Sequence, residues 1–157
     1  MPVMATKATP ANPAQLARNT EIDIRLARTG QRWTKGRRLV VEAVASASAP
    51  MAVPEIQAAV GPEVPLSTIY RILSDLIGAK VFTKLEFAEG FARYELDEGL
   101  AAHHHHLVCT SCAAVFDLEL ADLEEVLSSS AKAIKRRNGF TVTDHRLDFF
   151  GVCEGCA

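Results

Sequence analysis

The sequence predicts an α+β chain in two parts. A winged helix-turn-helix is expected over residues 20–96 and a small α/β unit over residues 103–157, with residues 97–102 as a hinge. Three observations carry this. Four helical stretches precede a hairpin-like pair of strands, two Cys-x-x-Cys pairs stand 40 residues apart in the C-terminal half, and the charge is divided between the halves. Residues 1–84 hold 11 Lys/Arg against 6 Asp/Glu, whereas residues 85–157 hold 6 against 13. A basic half suits a polyanion and an acidic half suits bound cations. The chain has no run of about 18 apolar residues, so no membrane span is expected. Residues 1–19 read as a disordered tail without a secretory apolar segment, which makes the expected location cytoplasmic.

The elements follow in order. Ile22, Ile24 and Leu26 mark a first helix over residues 20–30 that Gly30 can stop. Thr34 is a suitable N-cap for a second helix carrying Leu39, Val40, Val41, Ala43 and Val44, which Pro50 breaks. Pro54 fits the first turn of a short third helix, Glu55–Val60. Ser67 can cap a fourth helix, Thr68–Ile77, whose Ile69, Ile72, Leu73, Leu76 and Ile77 form one buried stripe. Val81–Phe87 and Phe91–Leu96 then read as a hairpin turning at Glu89-Gly90.

Beyond the hinge, Leu107–Val108, Ala113–Leu118, Phe140–Val142 and Leu147–Val152 read as strands. Leu120–Ile134 reads as a helix, closed by Lys135-Arg136-Arg137 and Gly139. A small sheet with one helix has little core of its own and is expected to depend on metal and on a second copy of the chain.

In a winged helix-turn-helix the helix before the hairpin enters the major groove of double-stranded DNA, with residues near its N-terminus at base edges and phosphates. Thr68, Tyr70 and Arg71 lie on the exposed face there, and Arg71 suits a phosphate or a guanine. Arg32, beside the first helix, suits a minor groove. Arg25, Arg28, Arg32, Lys35, Arg37 and Arg38 cluster with no acidic residue among them, whereas Trp33 reads as a core plug.

Cys109, Cys112, Cys153 and Cys156 are all the cysteines of the chain. Two such pairs complete a tetrahedral thiolate shell for a structural Zn²⁺; two disulfides are the other reading, and nothing in the sequence points to an oxidising compartment. Next to the first pair stand four consecutive histidines. An extended run turns His104 and His106 one way and His103 and His105 the other, so each pair can serve a different metal. Glu95, Asp97, Asp117, Glu124 and Glu125 are the carboxylates within reach, and a mixed N/O shell suits Zn²⁺, Fe²⁺ or Mn²⁺.

Residues 20–156 resemble the ferric uptake regulator family. The motifs are residues 30–37 (GQRWTKGR), 67–73 (STIYRIL), 94–96 (YEL), 103–112 (HHHHLVCTSC), and His145 eight residues before Cys153. The resemblance implies a homodimeric, metal-dependent repressor on operator DNA, with structural zinc on the four cysteines. It implies a regulatory site of Glu95, His104, His106 and Asp117, and a second site of His103, His105, Glu124 and His145. It also places Tyr70 and Arg71 on DNA, with Arg32 toward a minor groove. Family members that sense iron or peroxide take a further hinge ligand, a histidine, from a place that here reads Ala49-Pro50-Met51-Ala52; Asp97 stands near where zinc sensors use a cysteine.

The expected function is therefore a regulator of zinc or iron homeostasis genes. The alternatives are a peroxide sensor or a constitutive DNA binder of the same family. A zinc hydrolase built on Glu95, His104 and His106 leaves the basic half without a use, so neither an enzyme nor a small organic substrate is expected.

Overall fold

In the computed structural model, which describes residues 12–87, 90 and 92–157, an N-terminal winged helix-turn-helix carries a C-terminal unit of one small sheet and one helix. The first helix, α1 (Pro13–Arg28), starts earlier than the sequence suggests. Asn12 caps it, accepting from the Ala14 amide at 2.8 Å while Gln15 accepts from the Asn12 amide at 3.0 Å. Residues 12–19 are thus part of the fold rather than tail; residues 1–11 lie outside the described residues. On α1, Ile22 and Leu26 are buried one turn apart, and Ile24 faces outward.

The second helix, α2 (Lys35–Ser46), is capped by Thr34, whose hydroxyl accepts from the Arg37 amide at 3.2 Å. It ends four residues before Pro50. Strand β1 (Met51–Ala52) leads into α3 (Val53–Val60), with Pro54 in the first turn. The fourth helix, α4 (Leu66–Gly78), begins after Pro65, so Ser67 lies inside the helix and makes no cap. Ile69, Ile72, Leu73 and Leu76 are its buried stripe, with Ile77 at the margin. Strands β2 (Phe82–Glu86) and β3 (Ala92–Leu96) pair antiparallel, and β1 adds to the other edge of β3. Most of the expected turn and Phe91 lie outside the described residues.

In the C-terminal unit, β4 (His105–Cys109) is central. It pairs antiparallel with β5 (Val115–Leu118) and parallel with β6 (Asp148–Gly151). Helix α5 (Ala121–Asn138) runs through the basic triplet to Gly139, which takes a left-handed φ of 66° at the C-terminal cap. The strand expected at Phe140–Val142 does not form. That segment finds no sheet edge and instead carries the chain toward His145.

The two units meet. Leu85 and Phe87 of the wing form one apolar cluster with Val108 and Val115 of β4 and β5. Arg93 on β3 braces the junction, donating to the Pro50 carbonyl, to Glu55 and to the Ala113 carbonyl at 3.0, 3.0 and 3.1 Å. By contrast, α5 buries none of its residues, and Leu107, Phe116, Phe149, Phe150 and Val152 are exposed around a cavity of about 360 Å³.

Candidate metal clusters and nucleic-acid interface

The four cysteines are brought together as free thiols, their sulfurs all within 4.8 Å of one another. Cys112 and Cys153 lie 3.7 Å apart at Sγ, too far for a disulfide. Tetrahedral zinc with Zn–S of about 2.3 Å sets its sulfurs about 3.8 Å apart, so the donors fit that ion. The backbone amides of Cys153, Cys112 and Ser111 lower the Cys109 thiol to about 6, while the neighbouring Cys153 and Cys112 thiols raise Cys156 to about 12. Four thiolates this close repel one another unless a cation sits among them.

The histidine run is extended and divides as alternation requires. His104 and His106 share one face of the segment, and His103 and His105 the other. On the first face, one oxygen of Glu95 lies 3.0 Å from Nε2 of both His104 and His106. Asp117, opposite His106 in the β4–β5 register, stands 4.0 Å from His104 Nε2. His104 Nδ1 donates to the Ala102 carbonyl at 2.9 Å and His106 Nδ1 to Asp148 at 3.3 Å, so each ring turns its Nε2 to the shared point. Burial lowers the His104 pKa, but the Ala102 carbonyl and the Glu95 carboxylate more than offset it. Burial raises that of Asp117.

Asp97 does not join this cluster. Its carboxylate accepts from Arg25 of α1 at 2.7 Å. The side chains that α2 and the following loop present next to Glu95, His104 and Asp117 are Val44, Ala45, Ala47, Ala49 and Pro50. They line a cavity of about 110 Å³ and offer no ligating side chain.

On the second face, His105 Nε2 lies 2.6 Å from Glu124 Oε1, and His145 Nε2 lies 3.3 Å from the same oxygen and 3.2 Å from His103 Nε2. Burial works against ionised Glu124, but the imidazoles of His105 and His145 hold its pKa below the usual value. Glu98, in the turn after β3, accepts from His103 Nδ1 at 3.1 Å. Glu125 is exposed and belongs to neither cluster.

Sequence reasoning missed Glu98 and Asp148. The signal for Asp148 was present: it is the one charged residue in the stretch Leu147–Val152, three places after His145. What placed it beside His106 is the parallel register of β6.

At the other end, Tyr70 and Arg71 are exposed on the first turns of α4, Thr68 is half-buried, and Arg32 is exposed in the loop before α2. The basic cluster separates into two kinds. Arg25 pairs with Glu21 and Asp97, and Lys35 with Glu63. Arg37 is buried, donating to the Arg32 carbonyl at 2.6 Å, to Gln31 and to Asp75 of α4. Arg37 therefore holds the Arg32 loop against α4 and does not face outward. Arg28, Arg32, Arg38 and Arg71 make no ion pair among the described residues. Trp33 is only partly buried, with the Arg38 guanidinium 4.8 Å above its ring.

A winged helix-turn-helix joined through histidine–carboxylate contacts to a small sheet that carries four clustered cysteines defines a class by its two-unit architecture. Within that class the chain belongs to the ferric uptake regulator family, whose model matches residues 28–150. It is 44% identical over 96 residues to the ferric uptake regulation protein of Bacillus subtilis, a match covering 60% of this chain and 62% of that one. The chain thus spans less than two thirds of the length of that curated relative. Among solved structures it is similar to the ferric uptake regulator of Vibrio cholerae, with TM-score 0.66, 26% identity, and coverage of 83% and 98% of the two chains. It also shares the fold of the Helicobacter pylori regulator, with TM-score 0.74, 19% identity, and coverage of 95% and 97%.

Proposed function

We propose that this protein is a metal-responsive repressor that binds operator DNA as a homodimer and controls zinc or iron homeostasis genes. The observation that carries the reading is the position of Glu95. It lies on the last strand of the winged unit, and its carboxylate points at two imidazoles of the sheet unit. A cation held by Glu95, His104, His106 and Asp117 replaces shared protons and joins the two units through strong bonds. The recognition helices of a dimer are then held at the spacing of two half-sites. The exposed apolar face of Phe116, Phe149 and Phe150, with the unburied α5, supports pairing with a second copy.

Zinc on Cys109, Cys112, Cys153 and Cys156 has a structural role. Zn²⁺ or Fe²⁺ is the regulatory ion, with Mn²⁺ also suited to the donor set. The second cluster, His103, His105, Glu124 and His145, holds a further ion. Thr68, Tyr70 and Arg71 approach the major groove and Arg32 the minor groove. Were Fe²⁺ the ion held there, peroxide would oxidise the His104 or His106 ring and itself be reduced to water, which would make the same site a peroxide sensor. A metal that prefers the DNA-competent arrangement 100-fold supplies about 2.7 kcal/mol toward it.

One observation favours a second reading, constitutive DNA binding. Leu85, Phe87, Val108 and Val115, together with Arg93, already hold the two units without any metal ligand. The test is an operator selected from random DNA, titrated against Zn²⁺, Fe²⁺ and Mn²⁺ with metal content measured alongside. The repressor reading expects affinity to rise with occupancy of the hinge site. The constitutive reading expects none of the three ions to change it.

A further inference from the structure

The two histidine–carboxylate clusters face opposite sides of one strand, yet a single short segment reaches both. His145 stands in the second cluster, 3.2 Å from His103 Nε2 and 3.3 Å from Glu124 Oε1. Three residues on, Asp148 accepts from His106 Nδ1 at 3.3 Å, and its side chain is only 14% exposed. The other carboxylate oxygen of Asp148 accepts from Arg146 at 2.7 Å. The Arg146 guanidinium lies 5.3 Å from the ring of Phe87 in the wing, and the Phe87 and His106 rings stand edge-to-face with centroids 6.0 Å apart. Residues 145–148 therefore touch the second cluster, the winged unit and the hinge cluster in sequence.

We propose that residues 145–148 couple the two clusters, so that a metal ion in the second cluster raises the affinity of the hinge cluster through Asp148 and His106. Residues 141–147 form no regular element, and besides the Leu147 carbonyl, which accepts from the His106 amide at 3.5 Å, this stretch relies on side-chain contacts to stay in place. An ion bound to His145 removes that freedom and holds Asp148 at the start of β6. Asp148 then keeps the proton of His106 on Nδ1 and the lone pair of Nε2 aimed at Glu95. Hydrogen-bond support of this kind to a ligating imidazole is typically worth 10- to 100-fold in metal affinity. The coupling is reciprocal, so an ion at the hinge raises the affinity of the second cluster by the same factor. Asp148 is a positioning residue in this scheme, and the inference rests on the reading that both clusters bind metal.

The experiment uses the full-length, zinc-stapled protein and Co²⁺ as the probe, with two-site affinities from visible absorption under chelator competition. His145→Ala and Asp148→Ala are each expected to weaken the hinge site about tenfold. The double variant is expected to be no weaker there than Asp148→Ala alone, and Asp148→Glu to recover most of the loss. Nitrogen-15 spectra are expected to show a changed ring tautomer for His106 and an unchanged one for His104 in Asp148→Ala. Retention of one tightly bound zinc in each variant shows that the sheet is intact. If His145→Ala leaves the hinge site within twofold of wild type, or if the two losses add, the coupling is overturned. A wild-type protein that takes up no Co²⁺ at the hinge overturns instead the reading on which it rests.

Discussion

One carboxylate oxygen of Glu95 sits 3.0 Å from Nε2 of His106, eleven residues later in the chain and in the other structural unit. The same oxygen is 3.0 Å from Nε2 of His104. Two imidazole nitrogens and a carboxylate pointed at one another form either a proton-sharing cluster or a cation site. Because Glu95 comes from β3 and the imidazoles come from the His103–Cys109 stretch, whichever state holds also sets how firmly the winged unit is joined to the sheet.

Replacing Cys153 by Ser removes one corner of the thiolate group. The C-terminal unit has few buried side chains besides Val108, Cys109 and Val115, so a metal on the four cysteines is expected to supply much of its stability. The expected result is loss of the tightly bound zinc together with loss of the dimer. Metal analysis and sedimentation measure both; an intact dimer without zinc would contradict the structural role.

Arg37→Ala removes a buried guanidinium from Asp75, Gln31 and the Arg32 carbonyl. Breaking one partner of a buried ion pair costs about 3 kcal/mol or more. A urea midpoint lowered accordingly is expected, with weaker DNA binding because the Arg32 loop loses its anchor. Stability within about 0.5 kcal/mol of wild type, the range of an ordinary surface change, would show that the buried contacts carry nothing.

Arg71→Ala leaves the core untouched, since the side chain is exposed on α4. Loss of one phosphate contact is expected to lower the slope of log affinity against log salt by about 0.9. A slope equal to wild type would move Arg71 away from the phosphates.

Much of this was legible in the sequence. The stripe of α4, the Thr34 cap and the alternation of four histidines each depend on local spacing, and spacing is what a sequence records. The grouping of Cys109 with Cys153, 44 residues apart, was legible because the chain's four cysteines fall into two Cys-x-x-Cys pairs with none left over. Other features depend on which strand lies beside which. Asp148 reaches His106 only through the parallel β4–β6 register, and Asp97 turns away from the histidines only because α1 brings Arg25 to it. The basic cluster misled for the same reason. Arg25 and Arg37 resemble their neighbours in sequence, but the fold supplies them with carboxylates. The Pro/Ala-rich composition around Asn12 resembles that of a tail, although Asn12 and Gln15 form a capping box.

The most direct test compares operator affinity with and without saturating regulatory metal in wild type and in Glu95→Gln, which keeps the shape of the side chain and removes its charge. Wild type is expected to gain about 100-fold on metal addition, equivalent to about 2.7 kcal/mol. Glu95→Gln is expected to gain less than about tenfold, equivalent to about 1.4 kcal/mol, with its thiolate-bound zinc unchanged. Equal gains in the two proteins would contradict the claim that Glu95 carries the metal signal from the sheet unit to the winged unit.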